Sequence, residues 1–305
     1  MTSHILMIRP VRFGFNEQTA ESNAFQNQEA AAQLRETAQQ CALKEFDQMV
    51  NHLRTFGVDV IVVEDTPEPH TPDSIFPNNW ISFHQDGTVC LYPMQAENRR
   101  LERSLQVFDD LKERFDIENV IDFTNYELKG QFLEGTGSMV LDRENKIAYA
   151  CISPRTHEEV ILDFATQMVY QMVPFHATDN NGKEIYHTNV VMSVGDLFAV
   201  ICLESIKDEK ERYLVRNVLE MSGKEVIDIT MEQLNCFAGN MLQIVNQQQE
   251  SLLVMSNQAY QSLTLKQISS LEKYGGLVAC DLHTIETNGG GSARCMMAEV
   301  FLPLK

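Results

Sequence analysis

Short β-branched or alternating apolar runs recur at residues 5–8, 58–63, 80–83, 88–92, 138–142, 147–151, 190–194, 197–201, 242–245 and 252–256. Each is bounded by turn residues, so the pattern predicts strands. Residues 138–142 and 147–151 flank the polar turn Arg143-Glu144-Asn145-Lys146 and read as a hairpin. So do 190–194 and 197–201 across Gly195-Asp196, and 242–245 with 252–256. Between the strands, apolar residues fall at helical spacing over 28–55, 98–114, 157–168, 208–221 and 263–274. The last begins Ser262-Leu263-Thr264-Leu265-Lys266-Gln267, which suits a capped start. The resulting order is hairpin, helix, strand, repeated. About five such units fit 305 residues.

The hairpins open from polar or glycine-bearing loops. These are Asp73-Ser74-Ile75-Phe76, Leu133-Glu134-Gly135-Thr136-Gly137, His187-Thr188-Asn189, Phe237-Ala238-Gly239-Asn240, and Asn288-Gly289-Gly290-Gly291 ahead of Cys295. Repetition of this kind predicts an α/β chain closed radially rather than one open sheet. An ordinary α/β sandwich is the plainer alternative. No linker or low-complexity tract divides residues 1–305, which read as a single domain.

Composition narrows the function classes. The net charge of −19, from 24 basic and 43 acidic residues, excludes a nucleic-acid or anionic-membrane binder. The longest apolar stretch, 189–203, is broken by Gly195-Asp196, too early for a membrane span, and no signal-peptide pattern opens the chain. Seven cysteines without a CxxC pair argue against a zinc site or a complete disulfide framework, so the chain reads as reduced and cytoplasmic. The histidines show no HxxxH or HxH spacing, so metal catalysis has no support and no cofactor is expected.

If the loops converge on one centre, Glu134, His187 and Cys295 become neighbours. A cysteine nucleophile needs a base or an electropositive setting. A histidine can supply the base and later protonate the leaving group. A carboxylate can orient that histidine. Cys295 follows three glycines, which let backbone approach a ligand closely. Asn23, Phe15 and Asn240 are further pocket candidates, and the loop 18–28 is a candidate lid.

These residues resemble a known family. Pro72-Asp73-Ser74-Ile75-Phe76, Leu133-Glu134-Gly135-Thr136-Gly137, Ser153-Pro154-Arg155-Thr156, His187-Thr188-Asn189-Val190-Val191-Met192 and Gly289-Gly290-Gly291-Ser292-Ala293-Arg294-Cys295 are similar, in order, to the guanidino-group-modifying (amidinotransferase or pentein) superfamily. The resemblance implies a five-bladed α/β propeller of ββαβ repeats. It implies Cys295 as nucleophile, His187 as general acid/base and Glu134 as its carboxylate partner. It implies Asp73 as a substrate contact, and Arg99 and Arg155 as clamps for the substrate's α-carboxylate. The partner it implies is a small amino-acid substrate, and a homodimer is the candidate assembly.

Two segments depart from the arginine-acting patterns. Where those have acids, this chain has Asn78-Asn79 and Asn189. A carboxylate only accepts hydrogen bonds, whereas an amide also donates and so suits a neutral ureido group. The expectation is a hydrolase of citrulline, yielding ornithine, carbon dioxide and ammonia through a covalent Cys295 intermediate. The opening Arg9-Pro10-Val11-Arg12-Phe13-Gly14-Phe15-Asn16 likewise resembles the citrulline-utilisation hydrolase branch. The alternatives are an arginine deiminase or dimethylarginine hydrolase, then an amidinotransferase, and finally a catalytically silent metabolite-binding propeller.

Overall fold

The apolar runs do become strands, and the computed structural model describes them over residues 1–34 and 37–305. They are β1 (His4–Arg9), β2 (Asp59–Glu64), β3 (Ile81–Phe83), β4 (Thr88–Leu91), β5 (Asn119–Asp122), β6 (Met139–Asp142), β7 (Ile147–Cys151), β8 (Gln171–Phe175), β9 (Met192–Val194), β10 (Phe198–Ile201), β11 (Glu225–Asp228), β12 (Leu242–Val245), β13 (Ser251–Ser256), β14 (Gly276–Cys280) and β15 (Ala298–Glu299). Among the described residues they form five three-stranded sheets: β15-β1-β2, β3-β4-β5, β6-β7-β8, β9-β10-β11 and β12-β13-β14. In each sheet the first pair is antiparallel and the second parallel. A parallel pair needs a crossover. Helices Ala38–Thr55, Leu105–Lys112, Glu158–Met168, Glu209–Met221 and Leu265–Leu271 lie in the five crossovers. In the sheet β15-β1-β2, the last strand of the chain pairs with the first.

Middle strands are covered on both faces, which is why they read as unbroken apolar runs. Every residue of β7 and of β10 is buried. Side chains alternate across a strand, so each middle strand can feed two cores. Ile5 and Met7 of β1 join a cluster with Leu242, Ile244 and Val254 of the sheet β12-β13-β14. Leu6 and Ile8 join another with Ile81, Phe83 and Val89 of the sheet β3-β4-β5. Cys90 of β4 packs with Met139 and Ala148 of the next sheet. Tyr149 and Cys151 of β7 share the largest cluster with β10 and with Leu253 and Met255 of β13. The apolar contacts thus pass from sheet to sheet and return to where they began.

Several elements differ from the pattern. Val190 and Val191 belong to a single helical turn, Thr188–Val191, before β9 begins at Met192. Tertiary hydrogen bonds hold that turn against β propensity: Thr188 Oγ1 accepts from the Cys151 amide at 2.7 Å, and Asn240 Nδ2 donates to the Asn189 carbonyl at 2.8 Å. The helical stretch 98–114 is two helices, because the Ser104 side chain caps the second by accepting from the Gln106 amide. Over 28–55 the structure gives helices Gln28–Leu34 and Ala38–Thr55, with residues 35–36 outside the described residues. The stretch 263–274 contains Leu265–Leu271, opened by a Thr264–Gln267 capping box. Strands such as β5, whose residues are almost all exposed, carry too little apolar signal for pattern to place them. Among the described residues, no helix is long and apolar enough to cross a membrane.

If the cycle of shared cores holds the molecule together, Leu6→Ala will lower stability by about 2–5 kcal/mol, the usual cost of emptying a closed core site. Leu128, 90% exposed, is the control, and its alanine variant should stay within about 0.5 kcal/mol of the parent. Urea unfolding compares the two; equal midpoint shifts would refute this account of the fold.

Candidate active site

Each first strand is entered from a tight turn, and the chemistry-bearing residues sit in these turns. Pro77–Asn79 precedes β3, Gly135–Ser138 runs into β6, and Thr188–Val191 runs into β9. Asn240 lies just ahead of β12, and Cys295 sits in the turn before β15, its amide bonded to the Ser292 carbonyl at 3.0 Å. Glu134 and His187 occupy the same place in their units, the N-cap of the single helical turn. Asp73, Asn79, Arg99, Arg155, His187 and Cys295 line one small cavity of about 10 Å³.

Glu134 and His187 are both buried and joined, Nε2 to Oε2, at 2.8 Å. The other oxygen of Glu134 accepts from the Gln95 amide at 3.0 Å. Burial pushes the Glu134 carboxyl upward, but Arg155 at 3.5 Å, the His187 hydrogen bond and Arg99 at 3.8 Å outweigh it, holding the group well below the usual carboxylate range. Burial also dominates His187, pushing it down to about 4 while Glu134 pulls the other way. At neutral pH the pair is therefore a neutral imidazole on an ionised carboxylate, and the arginines carry the depression of Glu134. A carboxylate at Nε2 assigns the ring proton to Nε2 and leaves the Nδ1 lone pair free to act as a base. Gly137 is required beside it: a Cβ there would stand 2.8 Å from His187 Nδ1 and collide with the Asn79 amide.

The Cys295 sulfur accepts from two amides, Asn240 Nδ2 at 3.3 Å and Asn189 Nδ2 at 3.4 Å. Donors aimed at sulfur stabilise a thiolate. The Asn240 oxygen is fixed by the Arg294 amide at 3.0 Å. Gly289 and Gly291 press on the Phe76 ring, where added Cβ atoms would fall 2.7 and 3.0 Å from ring carbons. Gly290 has φ 64°, the left-handed region that favours glycine. Four other cysteines, Cys90, Cys151, Cys202 and Cys280, have thiols pushed up to about 12 by burial, as inert core residues should.

Arg99 and Arg155 are engaged differently. Arg99 forks onto Glu102 through Nε and Nη2 at 2.9 and 3.0 Å and donates to Asn79 Oδ1 at 2.7 Å. Its remaining directions face the Asp73 and Phe76 carbonyls. Arg155 lies over the Tyr186 ring and donates to the Ser22 hydroxyl and the Thr19 carbonyl. Ser22 and Thr19 belong to a strap across the cavity that coincides with the expected lid. Asn23 and Gln26 tie the strap to the Gly289 and Asn288 carbonyls. Asp73 accepts from Asn16 and Thr19 through Oδ2, while its Oδ1 is buried without a partner. The Asn189 oxygen is buried and unpartnered too.

All eight expected site residues therefore cluster, seven of them lining the cavity or touching the sulfur and Glu134 holding His187. Asn23 lines the cavity as well, whereas Phe15 is only half-buried and does not. Asn240 is nearer the chemistry than its sequence signal suggested. Glu102 went unread; the Arg99-to-Glu102 spacing on a helical stretch was the signal available. Among the described residues, no group of three or more His, Cys, Asp or Glu is placed to hold a metal ion.

The buried pair predicts a pH dependence. His187 is held neutral in the folded chain, with a value near 4, but protonates freely near its ordinary 6.5 when unfolded. Between those values the unfolded state binds more protons, so stability falls as pH falls through that window. The loss from this group is about 3 kcal/mol. Urea unfolding of the parent and of His187→Asn at pH 7, 6, 5 and 4 tests it. The variant should show a clearly shallower fall, and parallel curves would count against the assignment.

The N-terminal domain of ArgZ, captured with a covalently bound reaction intermediate, superposes with a TM-score of 0.75 at 16% identity, covering 98% of this chain and 99% of that one. Full-length ArgZ, described as an arginine dihydrolase from the ornithine-ammonia cycle in Cyanobacteria, gives 0.77 at 15% identity, and this chain spans only 41% of its length. A dimethylarginine dimethylaminohydrolase bearing an S-methyl-L-thiocitrulline adduct gives 0.64 at 14% identity, covering 98% and 99%. These likenesses share the mixed α/β fold. No curated protein sequence matches the chain. Residues 9–302 do match the family described as "N,N dimethylarginine dimethylhydrolase, eukaryotic". With nearly its whole length covered by that match, the chain belongs to this family of hydrolases acting on non-peptide carbon–nitrogen bonds, within the guanidino-group-modifying (pentein) superfamily.

Proposed function

We propose that the protein is a cysteine-dependent hydrolase of a ureido amino acid, with citrulline as substrate and ornithine, carbon dioxide and ammonia as products. The observation that carries this reading is the amide wall around the nucleophile. Asn189 and Asn240 donate to Cys295 Sγ, and Asn79 lines the same cavity. Amides can serve both the carbonyl and the N–H groups of a ureido substrate. A second reading, hydrolysis of arginine or a methylated arginine, is favoured by the unpartnered carboxylate oxygen of Asp73, which would accept from a guanidinium.

In the proposed mechanism, the Cys295 thiol proton passes to Nδ1 of His187, and the imidazolium is stabilised by Glu134. The thiolate attacks the ureido carbon, and the carbonyl oxygen takes the negative charge, which the neighbouring amide N–H groups stabilise. The bond from that carbon to the ornithine side-chain nitrogen breaks, and the nitrogen takes the His187 proton. An S-carbamoyl cysteine remains. Water gives a proton to His187 and attacks the carbamoyl carbon, the C–S bond breaks, and the thiolate takes its proton back. The released carbamate decomposes to carbon dioxide and ammonia.

Arg155 is the proposed clamp for the substrate's α-carboxylate, since a guanidinium fork binds carboxylates bidentately. The Ser22 hydroxyl it now holds would be exchanged for the substrate. Arg99, committed to Glu102 and Asn79, orients the wall of the cavity in this reading. We also read residues 1–305 as one catalytic domain and the five sheets as blades of a propeller around the site. The returning cycle of shared cores and the common origin of the site residues, in the turns ahead of the first strands, support that reading.

Incubation with citrulline, arginine, agmatine and dimethylarginine, followed by assay of ornithine, citrulline and ammonia, tests the proposal. Ornithine should form from citrulline. Citrulline accumulating from arginine would replace the ureido reading by the guanidino one, and no turnover of any substrate would overturn both. Cys295→Ala should lower turnover at least about 1000-fold. A separate check concerns specificity. Asn79→Asp should lower kcat/KM for citrulline about 10–100-fold by losing a donor to the substrate carbonyl. An unchanged kcat/KM would remove Asn79 from substrate recognition.

A further inference from the structure

The mechanism leaves one buried carboxyl near the nucleophile without a task. Glu286, only 4% exposed, lies in the helix His283–Gly289, which leads into the glycine run ahead of Cys295. Burial pushes its carboxyl up to about 7. Glu45 and Asp281 push the same way, and the Ser292 and Ser256 hydroxyls offset this only in part. An apolar side chain would fill the place without that cost. The partner that needs a carboxyl there is Ser292. Its hydroxyl, fully buried, donates to Glu286 Oε1 at 2.6 Å.

Residue 286 grips the chain twice. Its carbonyl accepts from the Gly290 amide at 2.9 Å and closes the helix, and its carboxyl holds Ser292 beyond. The glycines between have little conformational preference of their own, so their path has to be imposed from outside. Ser292 then binds the backbone of the nucleophile, its carbonyl accepting from the Cys295 amide at 3.0 Å. From Glu286 to Cys295 the path is one hydroxyl and one tight turn. The placement matters because the sulfur takes its two donors, Asn189 and Asn240, from other units of the fold. A shift of the Cys295 turn would change both distances at once.

We propose that Glu286 is a positioning residue for the nucleophile: through the Ser292 hydroxyl it fixes the turn that holds Cys295 against Asn189 and Asn240. This role rests on Cys295 as the nucleophile and holds whether the substrate is a ureido or a guanidino compound.

The test reads Cys295 directly, as the rate of its alkylation by iodoacetamide at neutral pH, with the labelled peptide identified by mass spectrometry. It is run on the full chain, below the melting temperature of every variant, alongside kcat and KM for citrulline and for arginine. Ser292→Ala and Glu286→Ala should each slow alkylation about 10-fold and lower kcat to a similar extent, with KM within about twofold of the parent. The double variant should also be slowed about 10-fold rather than about 100-fold, because both changes remove one link. Glu286→Gln keeps an acceptor for the hydroxyl and should recover most of the parental rate. Glu45→Ala is the structural control: Glu45 accepts from the Thr284 and Ile285 amides and so caps the same helix at its other end. It should lower the melting temperature while alkylation stays within about twofold of the parent. Unchanged alkylation in both single variants, additive losses in the double variant, or an equal loss in Glu45→Ala would each overturn the role of Glu286. The expected alkylation pattern without turnover of either substrate would support that role and remove the proposed function. A parent whose Cys295 does not react at all would overturn both.

Discussion

A carboxylate cannot be buried alone, and Glu134 is fully buried. Everything at the centre of the molecule follows from how that charge is answered. Arg155 and Arg99 stand on it, at 3.5 and 3.8 Å, and hold it ionised. Arg99, itself only 2% exposed, needs answering in turn, and Glu102 and Asp73 do so. Glu102 is pushed up to about 7 by burial against the pull of Arg99, a sign of how closely charge is packed here. Such a cluster is weak evidence for stability, because desolvation offsets much of the attraction. Its consequence is orientation. Each member has partners in fixed directions, and His187 is left neutral with its proton assigned to Nε2.

The fold supplies the directions. Glu134 and His187 cap equivalent single turns in neighbouring units, and both turns end where the first strand begins. The turns pack so closely that side chains are excluded between them. A Cβ on Gly135, which has φ 48°, would collide with the Asn78 carbonyl, and one on Gly137 would collide with His187. The glycines near Cys295 work in the same way against Phe76. Their role in this structure is to let protein approach protein, rather than to bring backbone to a ligand.

The unit pattern, the helical crossovers and the clustering of Glu134, His187 and Cys295 were legible in the sequence, because apolar period and glycine-flanked polar residues act locally. Three things were not. Val190-Val191 read as strand, since the bonds that bend them into a turn come from Cys151 and Asn240, both distant in sequence. Exposed edge strands such as β5 lack the apolar signal on which placement relies. Arg99 and Arg155 read alike as guanidiniums free for a carboxylate, yet Glu102 occupies one fork while a strap hydroxyl and carbonyl occupy the other. Composition cannot show whether a charge is already spoken for.

The three asparagines of the site do not bear equally on the substrate. Asn189 and Asn240 both donate to the Cys295 sulfur, a contact that an acid in either place would not make. Their N–H groups are thus engaged by Cys295, and the Asn189 oxygen, buried without a partner, is left over. Asn79 is different. Its oxygen takes the Arg99 donor and one N–H reaches Asn78 Oδ1 at 3.0 Å. The amide's second N–H is the one left for the cavity that Asn79 lines. An aspartate there would have satisfied Arg99 equally well, so the arginine does not explain the amide. Asn78 does: an acid at residue 79 would set a carboxylate oxygen against Asn78 Oδ1, where the amide now donates.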